Sequence, residues 1–88
     1  MKTAFRGSFA KDIRKLRDES LKRKLRHLIE TVERASRLDG IPNLKRLTGK
    51  ASCCRIRLGD YRVGLAIEAD TVVFVRFLHR REIYRYFP

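Results

Sequence analysis

Arg55, Arg57, Arg62, His79, Arg81, Tyr84 and Tyr86 are the side chains of this 88-residue sequence whose types suit chemistry on a phosphate. A guanidinium makes paired, charge-assisted bonds to the non-bridging oxygens of a phosphodiester and keeps its charge at any physiological pH. Cleaving RNA without a metal uses the neighbouring 2′-hydroxyl as nucleophile. The protein must then align that hydroxyl, stabilise the crowded phosphate and protonate the leaving oxygen. Arginine suits the second task, but with a pKa above ~12 it is a poor proton donor. Proton transfer therefore falls to His79, Tyr84, Tyr86 or Glu82, while Tyr84 or Tyr86 could instead stack on an unpaired base. Each residue also has a structural use. Arg55 and Arg57 could be the solvated face of a strand, Arg62 could pair with Asp60 or Glu68, and Arg76 suits a structural ion pair. His79 could hold the tail by a hydrogen bond, and Tyr86 with Phe87 could cap the core.

Other chemistries lack their residues. Asp60, Glu68, Asp70 and Glu82 are dispersed, where a hard cation needs clustered carboxylates, so neither a metal nor a cofactor is expected. No glycine-rich phosphate loop is present. The adjacent Cys53 and Cys54 would point to opposite faces of a strand, an arrangement too strained for a mutual disulfide and too close for a zinc knuckle. A reducing, cytoplasmic setting is expected. No apolar stretch approaches the ~20 residues of a membrane span, and Met1–Arg6 does not read as a signal peptide.

Charge supplies the partner class. The chain carries 22 Lys and Arg against 10 Asp and Glu, a net +12. That exceeds the ~2–8 that keeps a small domain soluble, and the field it makes attracts polyanions. Nucleic acid or a strongly acidic protein is the expected partner class, and nucleic-acid binding should weaken steeply with salt.

The positioning elements follow from hydrophobic period. Lys2–Arg6 reads as a short strand, and Phe9, Ile13 and Leu16 are spaced for a helix with Ser8 as its N-cap. Asp18-Glu19-Ser20 starts a second helix, whose stripe is Leu21, Leu25, Leu28, Ile29 and Val32 and whose end is Asp39–Asn43. Leu44–Lys50 reads as a basic connector. The period then becomes two: Arg55 and Arg57 alternate with Cys54, Ile56 and Leu58, and a strand from Tyr61 follows the Gly59-Asp60 turn. After Ala69-Asp70, Thr71–Leu78 is apolar on both faces except at Arg76, as an interior strand should be. These elements give an α+β fold of order β-α-α-β-β-β, two N-terminal helices packed on one face of a small, mainly antiparallel sheet. Arg55, Arg57 and Arg62 fall on the opposite face. Length allows a single domain over 1–88.

The stretch Cys54-Arg55-Ile56-Arg57-Leu58-Gly59-Asp60-Tyr61-Arg62-Val63, with Val72–Leu78 and His79-Arg80-Arg81-Glu82-Ile83-Tyr84-Arg85, resembles the RelE group of the RelE/ParE toxin superfamily. Leu44-Lys45-Arg46-Leu47-Thr48-Gly49 resembles that family's approach to the sheet. The resemblance implies a microbial-RNase-type fold and a type II toxin–antitoxin toxin that cleaves mRNA, on the ribosome, without a metal. It also implies an antitoxin protein as partner. By position, Arg55 and Arg57 stand in place of two strand lysines that bind phosphate, Arg62 matches the arginine after the turn tyrosine, and Arg81 matches the arginine closing the last strand. The tail tyrosine is Tyr84 or Tyr86, with His79 as a further candidate for catalysis. Lys45, Arg46, Lys50 and Arg55 are the residues implied to track RNA. His79 belongs to a tail also common in ParE-like members, which inhibit DNA gyrase and are not nucleases; Arg55, Arg57, Arg62, Arg81 and a following tyrosine together favour the nuclease. A basic RNA-binding domain without toxicity is a further alternative.

Overall fold

The computed structural model describes the chain from Met1 to Pro88, apart from the side chains of Lys50 and Ala51. The elements are β1 (Lys2–Phe5), α1 (Gly7–Arg14), α2 (Glu19–Arg34), a 3-10 turn (Leu38–Gly40), β2 (Leu44–Leu47), β3 (Lys50–Leu58), β4 (Tyr61–Glu68), β5 (Thr71–His79) and α3 (Ile83–Tyr86). The strands form one sheet in the order β1-β5-β4-β3-β2, antiparallel except for β1, which runs parallel to β5. The fold is the α+β arrangement that the periodicity implies.

Alternation within the strands makes the two sheet faces different. Cys54 and Ile56 of β3, Val63 and Leu65 of β4, and Val72, Phe74 and Phe77 of β5 face the helices and are buried with Phe9 of α1 and Leu25, Leu28 and Val32 of α2. Asp18 caps α2, its carboxylate accepting the Leu21 amide at 3.1 Å, and the leucine stripe then turns towards the sheet. The other face is largely open to water.

Four local expectations are corrected. Leu44–Leu47 is not a connector but the edge strand β2; its four residues are too few to show a period of two, and pairing with β3 defines it. α2 stops at Arg34 and not at Asp39–Asn43: Ala35 is already extended, and the Glu33 and Ala35 carbonyls accept from the Met1 nitrogen at 2.8 Å each. The tail after His79 contains the four-residue helix α3.

Ser8 is the fourth correction. It does not cap α1; its hydroxyl donates to the Val75 carbonyl at 2.6 Å. One turn later Asp12 accepts the Phe77 amide at 2.9 Å. β1 pairs with β5 only as far as Phe74, so the remaining edge of β5 would be unpaired. Ser8 and Asp12, four apart on one face of α1, replace the missing strand there. This explains why a carboxylate that is 5% exposed is tolerated.

Candidate active site

The open face carries two rows of residues brought side by side by strand register. Lys45 of β2, Arg55 of β3, Gly64 of β4 and Arg76 of β5 form one row, and Arg57, Arg62 and Leu78 form the next. Lys45 is thus directly opposite Arg55, and Arg57 directly opposite Arg62. Like charges in opposed cross-strand positions destabilise a sheet. Among the described residues, no carboxylate lies within ion-pair distance of any of these four cations.

α3 closes one side of this basic surface. The Tyr84 ring stands over the Arg55 guanidinium, 4.4 Å from its carbon to the ring centroid, while Tyr84 stays 69% exposed. Lys45, Arg55, Arg57, Arg62 and Tyr84, with Asn43 and Leu44, line a hollow of about 440 Å³. Arg62 is fixed there by its own turn, donating to the carbonyls of Gly59 and Tyr61 at 2.9 Å each, so it pairs with neither Asp60 nor Glu68. Glu68 instead pairs with Arg6. The Asn43 carbonyl accepts the Arg57 amide at 3.3 Å, which joins the entry of β2 to the arginine rows. A second hollow of about 320 Å³ continues past Lys45, Arg55 and Tyr84 to Arg46, Thr48, Phe87 and Pro88. The Lys50 side chain lies outside the described residues.

Three of the sequence candidates are placed elsewhere. His79 is the register partner of Tyr61 and two residues from Phe77, so strand alternation turns it to the helix-covered face. Its ring packs edge-on to Tyr61, and its Nδ1 accepts the Arg81 amide at 3.2 Å. Arg81 is exposed in the turn that follows β5 and lines neither hollow. Tyr86 lies over Arg76, 5.3 Å from guanidinium carbon to ring centroid. Arg76 in turn makes a two-pronged pair with Asp12, at 2.8 and 3.0 Å, whose hydrogen bond holds the Arg76 pKa above the ordinary guanidinium range. Tyr86, Arg76, His79 and Glu82 therefore share a separate hollow of about 340 Å³ beside α1. No group of three His, Cys, Asp or Glu among the described residues is placed to hold a metal ion, and no helix among them is long and apolar enough to cross a membrane.

The sequence reading missed Asn43 and Gly64. Asn43 sits at a left-handed φ of 64°, a conformation asparagine tolerates, in the loop opened by Pro42. Gly64 was visible as a glycine interrupting a strand, which marks a bulge or the close approach of another group.

Fold and hollow together define a small basic protein that presents arginines and a tyrosine on the uncovered face of an α+β sheet. Residues 4–84 match the family described as the ParE toxin of the type II toxin–antitoxin system parDE. Toxin RelE3 of Methanocaldococcus jannaschii is 34% identical over 89 residues, with both chains covered completely. The crystal structure of a RelB–RelE antitoxin–toxin complex from Methanococcus jannaschii is 32% identical with a TM-score of 0.81, covering 97% of this chain and 99% of the other. A copper-bound mutant toxin from Helicobacter pylori has the same fold at 24% identity and a TM-score of 0.69, covering 94% and 98%. The chain belongs to the RelE/ParE family of type II toxin–antitoxin toxins.

Proposed function

We propose that this toxin is a metal-independent endoribonuclease that cuts mRNA on the ribosome and is neutralised by a cognate antitoxin. One observation carries the reading: two pairs of like charges, Lys45/Arg55 and Arg57/Arg62, are held opposite one another beside a tyrosine, with no carboxylate among the described residues at ion-pair distance to offset them. Such an arrangement costs stability in the free protein and is relieved by a bound polyanion.

In the proposed reaction the 2′-hydroxyl gives up its proton to water, its oxygen forms a bond to the adjacent phosphorus and the bond to the 5′-oxygen of the next nucleotide breaks. A 2′,3′-cyclic phosphate and a 5′-hydroxyl remain. Arg57 and Arg62 neutralise the charge that accumulates on the non-bridging oxygens. Lys45, Arg55 and Arg46 hold the flanking backbone. Tyr84 donates the proton that the 5′-oxygen requires. His79, Arg81 and Tyr86 stand outside this set.

The antitoxin proposal is supported by the similar toxin seen in a RelB–RelE complex. A groove of about 370 Å³ between α1 and α2 offers Ile13, Leu25 and Ile29, flanked by Lys22 and Arg26 and by Glu30 and Glu33, suited to an amphipathic segment with an apolar face. Gyrase inhibition is the second reading, favoured by the ParE description of the matching family.

Expressing the chain and mapping 5′ ends on cellular mRNA separates the two. Cuts in phase with codons of translated mRNA, insensitive to EDTA in a purified system, are expected. DNA breakage with intact mRNA would transfer the assignment to gyrase.

A further inference from the structure

Resting on the assignment of Tyr84 to the reaction, we propose that Gly64 is a positioning residue: it is the seat for Phe87 that sets Tyr84 over Arg55. A helix as short as α3 has no stability of its own in water, so its position is decided by what it lands on. It lands on one row of the sheet. Arg55, Gly64 and Arg76 are register partners on β3, β4 and β5, and above them stand Tyr84, Phe87 and Tyr86 respectively. The two outer contacts are rings over flexible arginine side chains, which can follow a ring that moves. The central contact cannot adapt, because it is ring against backbone.

A methyl group on Gly64 would lie 2.7, 2.8 and 2.9 Å from Cγ, Cδ1 and Cδ2 of Phe87, whereas carbon atoms in contact need about 3.5–4.0 Å. The backbone does not account for the glycine: the glycines with positive φ are Gly49 and Gly59, and Gly64 has a conformation any residue adopts. The register shift between Gly64 and Leu65 therefore does not itself demand glycine. Phe87 is buried, and its amide donates to the Ile83 carbonyl at 2.8 Å, which locks it to the turn carrying Tyr84. Lifting the Phe87 ring by the roughly 1 Å that a methyl requires must move Tyr84 with it.

The test is Gly64→Ala, read in two ways. By NMR, the Arg55 side-chain protons should be shifted upfield under the Tyr84 ring in the parent protein, and this shift should vanish in the variant while the amide signals of β1 to β5 keep their dispersion. In single-turnover cleavage of a ribosome-bound mRNA, kcat should fall about 100-fold, the scale of a 1 Å misplacement, with KM unchanged. Placed in a Tyr84→Phe background, Gly64→Ala should add no further loss. Retention of both the upfield shift and kcat would overturn the proposal, as would a full additional loss in that background. Should Gly64→Ala fail to fold, Phe87→Ala provides the second route, since unseating the ring must also abolish the Arg55 shift; a persistent shift counts against the seat. Failure of the Tyr84 assignment looks different: Tyr84→Phe would cleave normally, yet Gly64→Ala would still abolish the Arg55 shift.

Discussion

Arg55 beneath Tyr84 and Arg76 beneath Tyr86 are the same two residue types, on the same row of the sheet, under the same four-residue helix. Their surroundings differ above all in a carboxylate. Asp12 reaches Arg76 from α1 and takes both prongs of its guanidinium, whereas among the described residues no carboxylate reaches Arg55. A buried carboxylate that takes two of an arginine's five N–H donors offsets its charge and fixes the guanidinium in place, and removing that partner would leave an uncompensated charge. An arginine held only by a ring face keeps its donors free. The flank beside α1 therefore anchors the molecule, and the flank beside β2 is available to a ligand.

The comparison breaks most visibly in stability. Asp12→Ala removes the partner of Arg76 and also the acceptor of the Phe77 amide, so it should lower unfolding free energy by about 3–5 kcal/mol. Arg55→Ala should leave stability unchanged or slightly raised, since it relieves the repulsion from Lys45. Chemical denaturation of both variants checks this. Equal losses would mean that the two arginines are structural alike.

Next in size is the contrast between the tyrosines. Tyr84→Phe keeps the ring over Arg55 but removes the phenolic proton, and single-turnover cleavage should fall by about 100-fold or more, the usual scale for losing a general acid. Tyr86→Phe keeps the ring over Arg76 and should cleave at the parental rate. If Tyr86→Phe is the slower of the two, the roles of the flanks are reversed and the hollow beside α1 is where the reaction occurs.

Much of this division was legible before any coordinates. Alternation along β3 and β4 put Arg55, Arg57 and Arg62 on one face, because a period of two needs only a few residues to declare itself. Arg76 as a structural pair was legible too, as a lone charge in an apolar strand. Three things were not. Parity places His79 with Phe77, on the helix-covered face, but the suitability of an imidazole for proton transfer made it a candidate by residue type alone. Tyr84 and Tyr86 are two residues apart in a tail with no period, and which ring reaches which arginine depends on how the buried Ile83 and Phe87 seat the helix. Nothing in the sequence singles out Asp12 on its basic helix; its role depends on β1 ending at Phe5 and leaving the edge of β5 to be satisfied.

The smallest expected effect concerns the same two faces at β3, where Cys53 and Cys54 are adjacent. Cys54 is fully buried in the core, and burial pushes its thiol above the ordinary range, partly opposed by the positive charge of Arg46. Folding thus favours the neutral thiol. Below the ordinary thiol pKa of about 8.5 both folded and unfolded chains hold the proton, and Cys54 contributes no pH dependence. Above it the unfolded chain releases the proton before the folded one does, so stability declines as pH rises. Cys54→Val should flatten that alkaline decline, measured as unfolding free energy against pH, whereas Cys53→Val should leave it in place. The half-exposed Cys53 should also be alkylated first in the native protein. Alkylation of Cys54 at a matching rate would show that the helix-covered face opens as readily as the face that carries the arginines.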